Sequence, residues 1–257
     1  MLFVFPFDFD SFAFNIAFLT HATAYFLIMP NIPINKESLA FMQHLSGNNN
    51  RAWFEANRQD YETAKANIEE FAGALLERMR SHDLIENVSG RKSLFRIYRD
   101  VRFSKNKEPF KTHWSGHFTR ATKQLRGGYY FHLEPGNSFL AGGFWNPSPD
   151  DLLLVRKDIE AGHEEWRSML NKPKLKKTFG GLLGDQVLTA PRGFDKNHPA
   201  IELLRYKQFL LRHSVSDKVV TSKDFVDVAN DVFMNLRPFF DLMSDILTSD
   251  GNGQVKS

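Results

Sequence analysis

From residue 35 onward the apolar positions fall into helical spacing. Leu39, Met42 and Leu45 recur at intervals of three after Asn35, and Gly47 closes the run, which predicts a short capped helix. Asn48-Asn49-Asn50 reads as a turn and as the cap of a longer helix. In that helix Phe54, Tyr61, Ala64, Ile68, Phe71, Leu75 and Met79 make one apolar stripe, to about residue 80. Such a stripe packs a helix against a sheet far more often than it holds a ligand.

The period then shortens to two. Residues 93–103 alternate like a strand, 113–119 predict another, and 129–133 and 138–145 flank the turn signal Glu134-Pro135-Gly136-Asn137 as a hairpin. Ser148-Pro149-Asp150-Asp151 starts a helix with its acids in the first turn, running through Leu154 and Ile159 to Gly162. A second short helix carries Trp166 and Leu170. Residues 172–192 read as loop, 199–206 as helix and 209–213 as strand. The last helix starts near Thr221-Ser222, buries Phe225, Val228, Val232 and Leu236, and kinks at Pro238. Residues 29–247 are therefore expected to form a single α+β domain. Its central, mostly antiparallel sheet is packed by N- and C-terminal helices, and 248–257 form a frayed tail.

Residues 1–28 break this pattern. They hold eight phenylalanines, two acids and no Lys or Arg, the wrong sign for the start of a secretory signal, and polar residues interrupt the apolar run after Phe12. The expectation is an upstream start with Met29 as the true initiator; a leader or anchor and a genuine extension are the alternatives. No membrane association is expected for 29–257.

The chain has 42% hydrophobic and 25% charged residues, as a globular protein does, and no cysteine. That composition excludes disulfides, thiolate catalysis and cysteine–metal sites, and fits a reducing, cytoplasmic setting. No Gly-x-x-x-x-Gly-Lys, Gly-x-Gly-x-x-Gly or Gly-x-Ser-x-Gly frame is present, which argues against the common nucleotide-binding and serine-hydrolase classes. The net charge of +3 hides a segregation: residues 91–126 carry eleven Lys or Arg against two acids, a local +9 that leaves −6 for the rest. Such a block steers a partner of opposite sign.

On a strand at 95–103, Phe95, Ile97, Arg99, Val101 and Phe103 share one face, and Arg96, Tyr98, Asp100 and Arg102 the other. Arg99 then has to meet a carboxylate, reach solvent or hold an anionic ligand, because a guanidinium keeps its charge. Arg96 and Arg102 flank Asp100, which either forms an internal ion network with them or orients both toward a bound phosphate or carboxylate. Lys105, Lys107 and Lys111 extend the positive field through the following loop.

The run Ser93-Leu94-Phe95-Arg96-Ile97-Tyr98-Arg99-Asp100-Val101-Arg102-Phe103-Ser104-Lys105-Asn106-Lys107 resembles the signature of a bacterial and fungal family, domain of unknown function 2461. Three other blocks resemble it too: residues 48–57 around Trp53-Phe54-Glu55, residues 129–143, and Pro191-Arg192-Gly193-Phe194-Asp195 with His198-Pro199. The likeness runs from about Ile34 to Leu247. It departs at Phe110, where the family pattern has tyrosine, so no hydroxyl role carries over there. The resemblance implies one α+β domain and no particular activity.

Weaker constellations remain. His132 shares a strand face with Tyr130 and Glu134, and His113 with His117. Three histidines and a glutamate are metal-ligating types, but their spacing matches no established motif, so no metal is assigned. Asp100 with His132 or Glu134 are the candidate acid and base. The expected ligand set is Arg96, Arg99, Arg102, Lys107, Lys111 and Arg192, for a small phosphate- or carboxylate-bearing molecule that is bound, with or without being transformed. A nucleic-acid binder, with basic residues interleaved by aromatics, is the first alternative. A protein-interaction domain whose arginines form internal ion networks is the second. No cofactor is specified, and neither an enzymatic nor a purely binding role is singled out.

Overall fold

The computed structural model describes residues 31–249. The alternative start or leader expected at 1–28 and nearly all of the tail at 248–257 lie outside them.

Helix α1 (Lys36–Gly47) buries Leu39, Met42 and Leu45 as the spacing predicts. Its start is tied from a distance: Asn67 Oδ1 accepts from the Asn35 amide and the Ser38 hydroxyl, both at 2.9 Å. The expected long helix is two. Asn50 caps α2 (Arg51–Ala56) by accepting from the Trp53 amide, and Asn57, outside helical geometry, separates it from α3 (Arg58–Met79). Tyr61, Ala64, Ile68, Phe71, Leu75 and Met79 are all buried along α3. Each large side chain so buried contributes roughly 1.5–3 kcal/mol before entropy is counted.

The sheet has four strands in the order β1 (Trp114–Thr119), β2 (Gly128–Leu133), β3 (Phe139–Phe144) and β4 (Phe209–Ser214), each antiparallel to its neighbour. This is the expected α+β architecture. The hairpin forms at Glu134–Asn137, where the Asn137 amide returns to the Glu134 carbonyl. Side chains alternate across the sheet. Phe118, Tyr129, Phe131, Leu133, Leu140, Phe209 and Leu211 face the helices. There Phe71 meets Phe131 edge-on at 5.6 Å, and Phe233 and Phe240 close on Tyr129.

Ser148 caps α5 (Pro149–Leu170), and Gly162 leaves helical geometry inside it, where the expected break lies. After it come α6 (Pro173–Phe179), the short α7 (Ile201–Leu204) and, beyond β4, α8 (Asp217–Val220), α9 (Phe225–Met234) and α10 (Arg237–Thr248). The predicted loop at 172–192 thus contains a helix, because Pro173 occupies a first turn, where its missing N–H costs nothing. Pro238 likewise opens α10 rather than kinking a single last helix.

The strand expected at 93–103 does not form. Gly90–Ser93 is one helical turn, α4, capped by Ser89, and beyond it only Leu94 and Tyr98 make isolated bridges, to Gly116 and Phe110. The segment folds back on residues 109–111, where Pro109 has no N–H with which to continue a ladder. Its alternation was not burial. Ile97 is enclosed, but Phe95 and Phe103, on the same expected face, are 46% and 95% exposed.

Beneath β2 sits a buried ion network. Arg120, fully enclosed, donates to Asp83 at 2.9 Å and to Asp241 at 3.2 Å. The Tyr129 hydroxyl donates to the same Asp83 carboxylate at 2.5 Å, and Arg237 lies 3.5 Å from it. Burial, then the bond to Asp83, pushes the Tyr129 phenol far up. This network takes Arg120 out of the basic block, and Arg126 leaves it too, paired with Asp151.

Candidate functional site on the outer face of the sheet

The face of the sheet turned away from α3 and α9 carries Ser115 and His117 from β1, Tyr130 and His132 from β2, Phe139, Ala141 and Gly143 from β3, and Leu210 and Arg212 from β4. Most of them line a basin of about 570 Å³, walled by Phe95, His113 and Trp145. A half-covered face is normal for an antiparallel sheet. This one is aromatic and histidine-rich instead of polar.

A stack of side chains crosses it. The Arg212 guanidinium carbon lies 3.8 Å from the Phe139 ring centre. Phe139 stacks on His132 at 4.6 Å and 13°, and His132 on His113 at 4.0 Å. Arg212 Nε is buried with no hydrogen-bond partner among the described residues, and Nη2 donates to Asn137 at 3.2 Å.

His132 is also held at both ring nitrogens. Nδ1 is 3.0 Å from the Tyr130 hydroxyl and Nε2 is 3.3 Å from Glu134 Oε2. Asn137 Nδ2 donates to the same Glu134 oxygen at 2.7 Å, and Thr112 approaches Oε1 at 3.4 Å. Burial lowers the pKa of His132, with Glu134 opposing. Burial, then the neighbouring His132, pulls His113 down to about 4. Glu134 lies below the usual carboxylate range: burial pushes it up, and bonds from Asn137 and His132 outweigh that. At neutral pH the cluster is two neutral imidazoles and one carboxylate. Their donor atoms all lie within 4.8 Å of one another.

The basic segment borders the basin at Phe95. Lys111 Nζ sits 5.3 Å from the centre of the Phe95 ring, whose other neighbours are His117 and Tyr130. Burial, then the charge of Arg96, lowers the pKa of Lys111. Phe95 and Arg96 also line a second cavity of about 230 Å³ against α3, with Tyr61, Lys65, Glu69 and Arg91.

Five of the eleven cations of 91–126 reach a carboxylate: Arg91, Arg99, Arg102, Arg120 and Arg126. Arg99 spans to Glu108 at 3.6 Å and to its carbonyl. Arg102 grips Asp100 through Nε and Nη2 at 2.9 and 2.6 Å, which holds Asp100 below its ordinary pKa. Arg96 and Lys111 have no carboxylate within ion-pairing distance among the described residues. Lys107 donates to the Val101 carbonyl. Arg192 is exposed in the turn at 191–194 and lines neither cavity.

The expected set therefore divides. His132 and Glu134 meet. Lys111 acts on His113 and sits against Phe95 at the basin's edge, while the exposed Arg96 lines the second cavity; neither is part of the basin lining itself. Asp100, exposed and held by Arg102, is not brought to the His132–Glu134 pair, so that acid–base combination does not assemble. Arg99, Arg102, Lys107 and Arg192 lie apart from the basin lining. Phe139, Trp145 and Arg212 were missed; the one available signal was the cation Arg212 following the apolar run Phe209-Leu210-Leu211 within a strand. Phe110, the departure from the family pattern, is buried and stacked on Phe54 at 4.2 Å, so it serves the core.

An α+β domain with an aromatic basin on the open face of an antiparallel sheet is the class that fold and site define. The chain belongs to the family described as Conserved hypothetical protein (DUF2461), whose pattern matches residues 37–242. No curated protein and no solved structure matches it. Among the described residues no helix is long and apolar enough to cross a membrane.

Proposed function

We propose that this protein binds a small anionic molecule with a flat apolar body in the basin on the outer face of the sheet. The body lies against Tyr130, Phe139 and Trp145, and the charge meets Lys111 and Arg96. One observation carries this reading: Lys111 is partly buried beside a second cation, with no carboxylate to neutralise either among the described residues. Holding two like charges together costs energy that an anion returns. His132 lines the basin and is bonded to Glu134, a pairing that suits acid–base chemistry on such a ligand. The cysteine-free composition supports a cytoplasmic setting.

Calorimetric titration of the full chain with inorganic phosphate, phenyl phosphate and benzoate tests the reading. Phenyl phosphate is expected to bind more tightly than inorganic phosphate, because the ring enters the basin. Lys111→Gln is expected to weaken it at least about tenfold, the scale of one lost charge-assisted bond. Arg102→Gln leaves it unchanged. Equal binding by wild type and Lys111→Gln, or none by either, overturns the reading.

A second reading rests on Phe103. It is 95% exposed at the tip of the basic loop, with the Arg102 guanidinium 5.8 Å from its ring, and Tyr98 nearby is 55% exposed. Exposed aromatics among cations suit stacking on single-stranded nucleic acid.

A further inference from the structure

We propose that His113, His132 and Glu134 bind one first-row divalent cation at the floor of the basin. The proposal goes beyond the anion reading and does not depend on it. The three residues come from separate places: the residue before β1, the outer face of β2, and the start of the hairpin turn. The register of β1 against β2, pairing Ser115 with His132, is what brings them together.

The geometry fits one ion. His132 Nε2 and Glu134 Oε2 stand 3.3 Å apart. Two donors bonded to one ion at about 2.1 Å, roughly 100° apart, are separated by about 3.2 Å. All three donor atoms lie within 4.8 Å of one another. Even at that limit a point equidistant from them is about 2.8 Å from each, so each closes by about 0.7 Å to reach an ordinary bond.

The donors are also braced, as metal ligands are. The Tyr130 hydroxyl contacts His132 Nδ1 at 3.0 Å, and Asn137 and Thr112 contact the Glu134 carboxylate. Without a cation, the Tyr130 hydroxyl donates to Nδ1 and Nε2–H donates to Glu134. With one, the ring proton sits on Nδ1 and is donated to the Tyr130 oxygen, and the Nε2 lone pair faces the ion. The proton moves within the ring; none is lost. Two nitrogens and one oxygen favour zinc, iron or a neighbouring first-row metal over magnesium or calcium. Three protein ligands leave coordination positions for a ligand in the basin.

The test is titration of the full, chelator-treated chain with cobalt(II) chloride, read by its visible absorption, and with zinc chloride against a competing chelator. The buffer contains no phosphate or carboxylate. One equivalent is expected to bind. His113→Asn and Glu134→Gln are expected to lower the affinity by more than tenfold, and Tyr130→Phe by about tenfold. His117→Asn, in the same basin but outside the cluster, leaves it unchanged. Glu134→Gln, on the turn, is the deciding variant should circular dichroism show that a histidine variant does not fold. No saturable uptake, or uptake that Glu134→Gln leaves intact, overturns the proposal. Either result leaves the anion reading standing, because that is measured without metal.

Discussion

The imidazole of His113 lies against that of His132, ring centres 4.0 Å apart and planes inclined by 29°. Two largely enclosed rings in that position resist sharing a second positive charge, and Glu134, bonded to His132 Nε2, offsets the cost only partly. The pair thus stays neutral at physiological pH.

In chelator-treated protein, His113 is expected to titrate near 4, against about 6.5 in the unfolded chain. The groups facing it are His132, Glu134 and Lys111. The folded pKa is depressed, so the unfolded state binds the extra proton first. The stabilisation is fully present above about 6.5 and declines as pH falls toward 4. Proton NMR of the His113 ring measures the pKa, and urea midpoints across that range follow the stability. A His113 ring titrating near 6.5 contradicts the expectation.

Asp83→Ala is expected to cost roughly 3–5 kcal/mol, because it leaves the enclosed Arg120 guanidinium without its 2.9 Å partner. Arg102→Ala, which breaks an exposed pair, should leave the midpoint where it is. Urea denaturation of both variants makes the comparison. A mild Asp83→Ala would mean that Asp241 alone satisfies Arg120.

Two glycines that touch predict opposite signs. A Cβ on Gly90 would stand 2.3 Å from the Glu69 carbonyl oxygen and 2.3 Å from the Gly73 nitrogen, so Gly90→Ala forces α4 off α3 and costs about 1–3 kcal/mol or more. A Cβ on Gly73 meets nothing within 4 Å, so Gly73→Ala should stabilise α3 by about 0.5–1 kcal/mol. Thermal unfolding of the two variants gives the signs. Because α4 leads directly into Phe95 and Arg96, Gly90→Ala should also weaken phenyl phosphate binding.

Labelled oligothymidylate titrated into the full chain at two salt concentrations separates the loop from the basin. Under the anion reading, binding at 0.15 M salt is expected to be negligible and indifferent to Phe103→Ala. Tight binding that falls steeply with salt and is lost in Phe103→Ala would move the function to the loop.

The helical stripes, the hairpin and the cap at Ser148 were legible because each depends on residues a few positions apart. The segment 93–103 misled for a physical reason: alternation requires a neighbour to pair with, and Pro109 and the charged loop deny it one. Pro173 and Pro238 misled because proline marks a helix start as readily as a loop. His132 and Glu134 were legible as sharing a face, being two apart on a strand.

What the sequence alone determined is the set of local elements, the α+β class, the family and the presence of a basic segment opposed by acids elsewhere. Tertiary structure decided which of those charges are spent and which are left. Pairing Arg99 with Glu108 follows a short loop, but Arg120 with Asp83, and His113 against His132, depend on strand register and helix docking. Those distances are set by the whole core packing at once, and no short-range pattern along the chain encodes them.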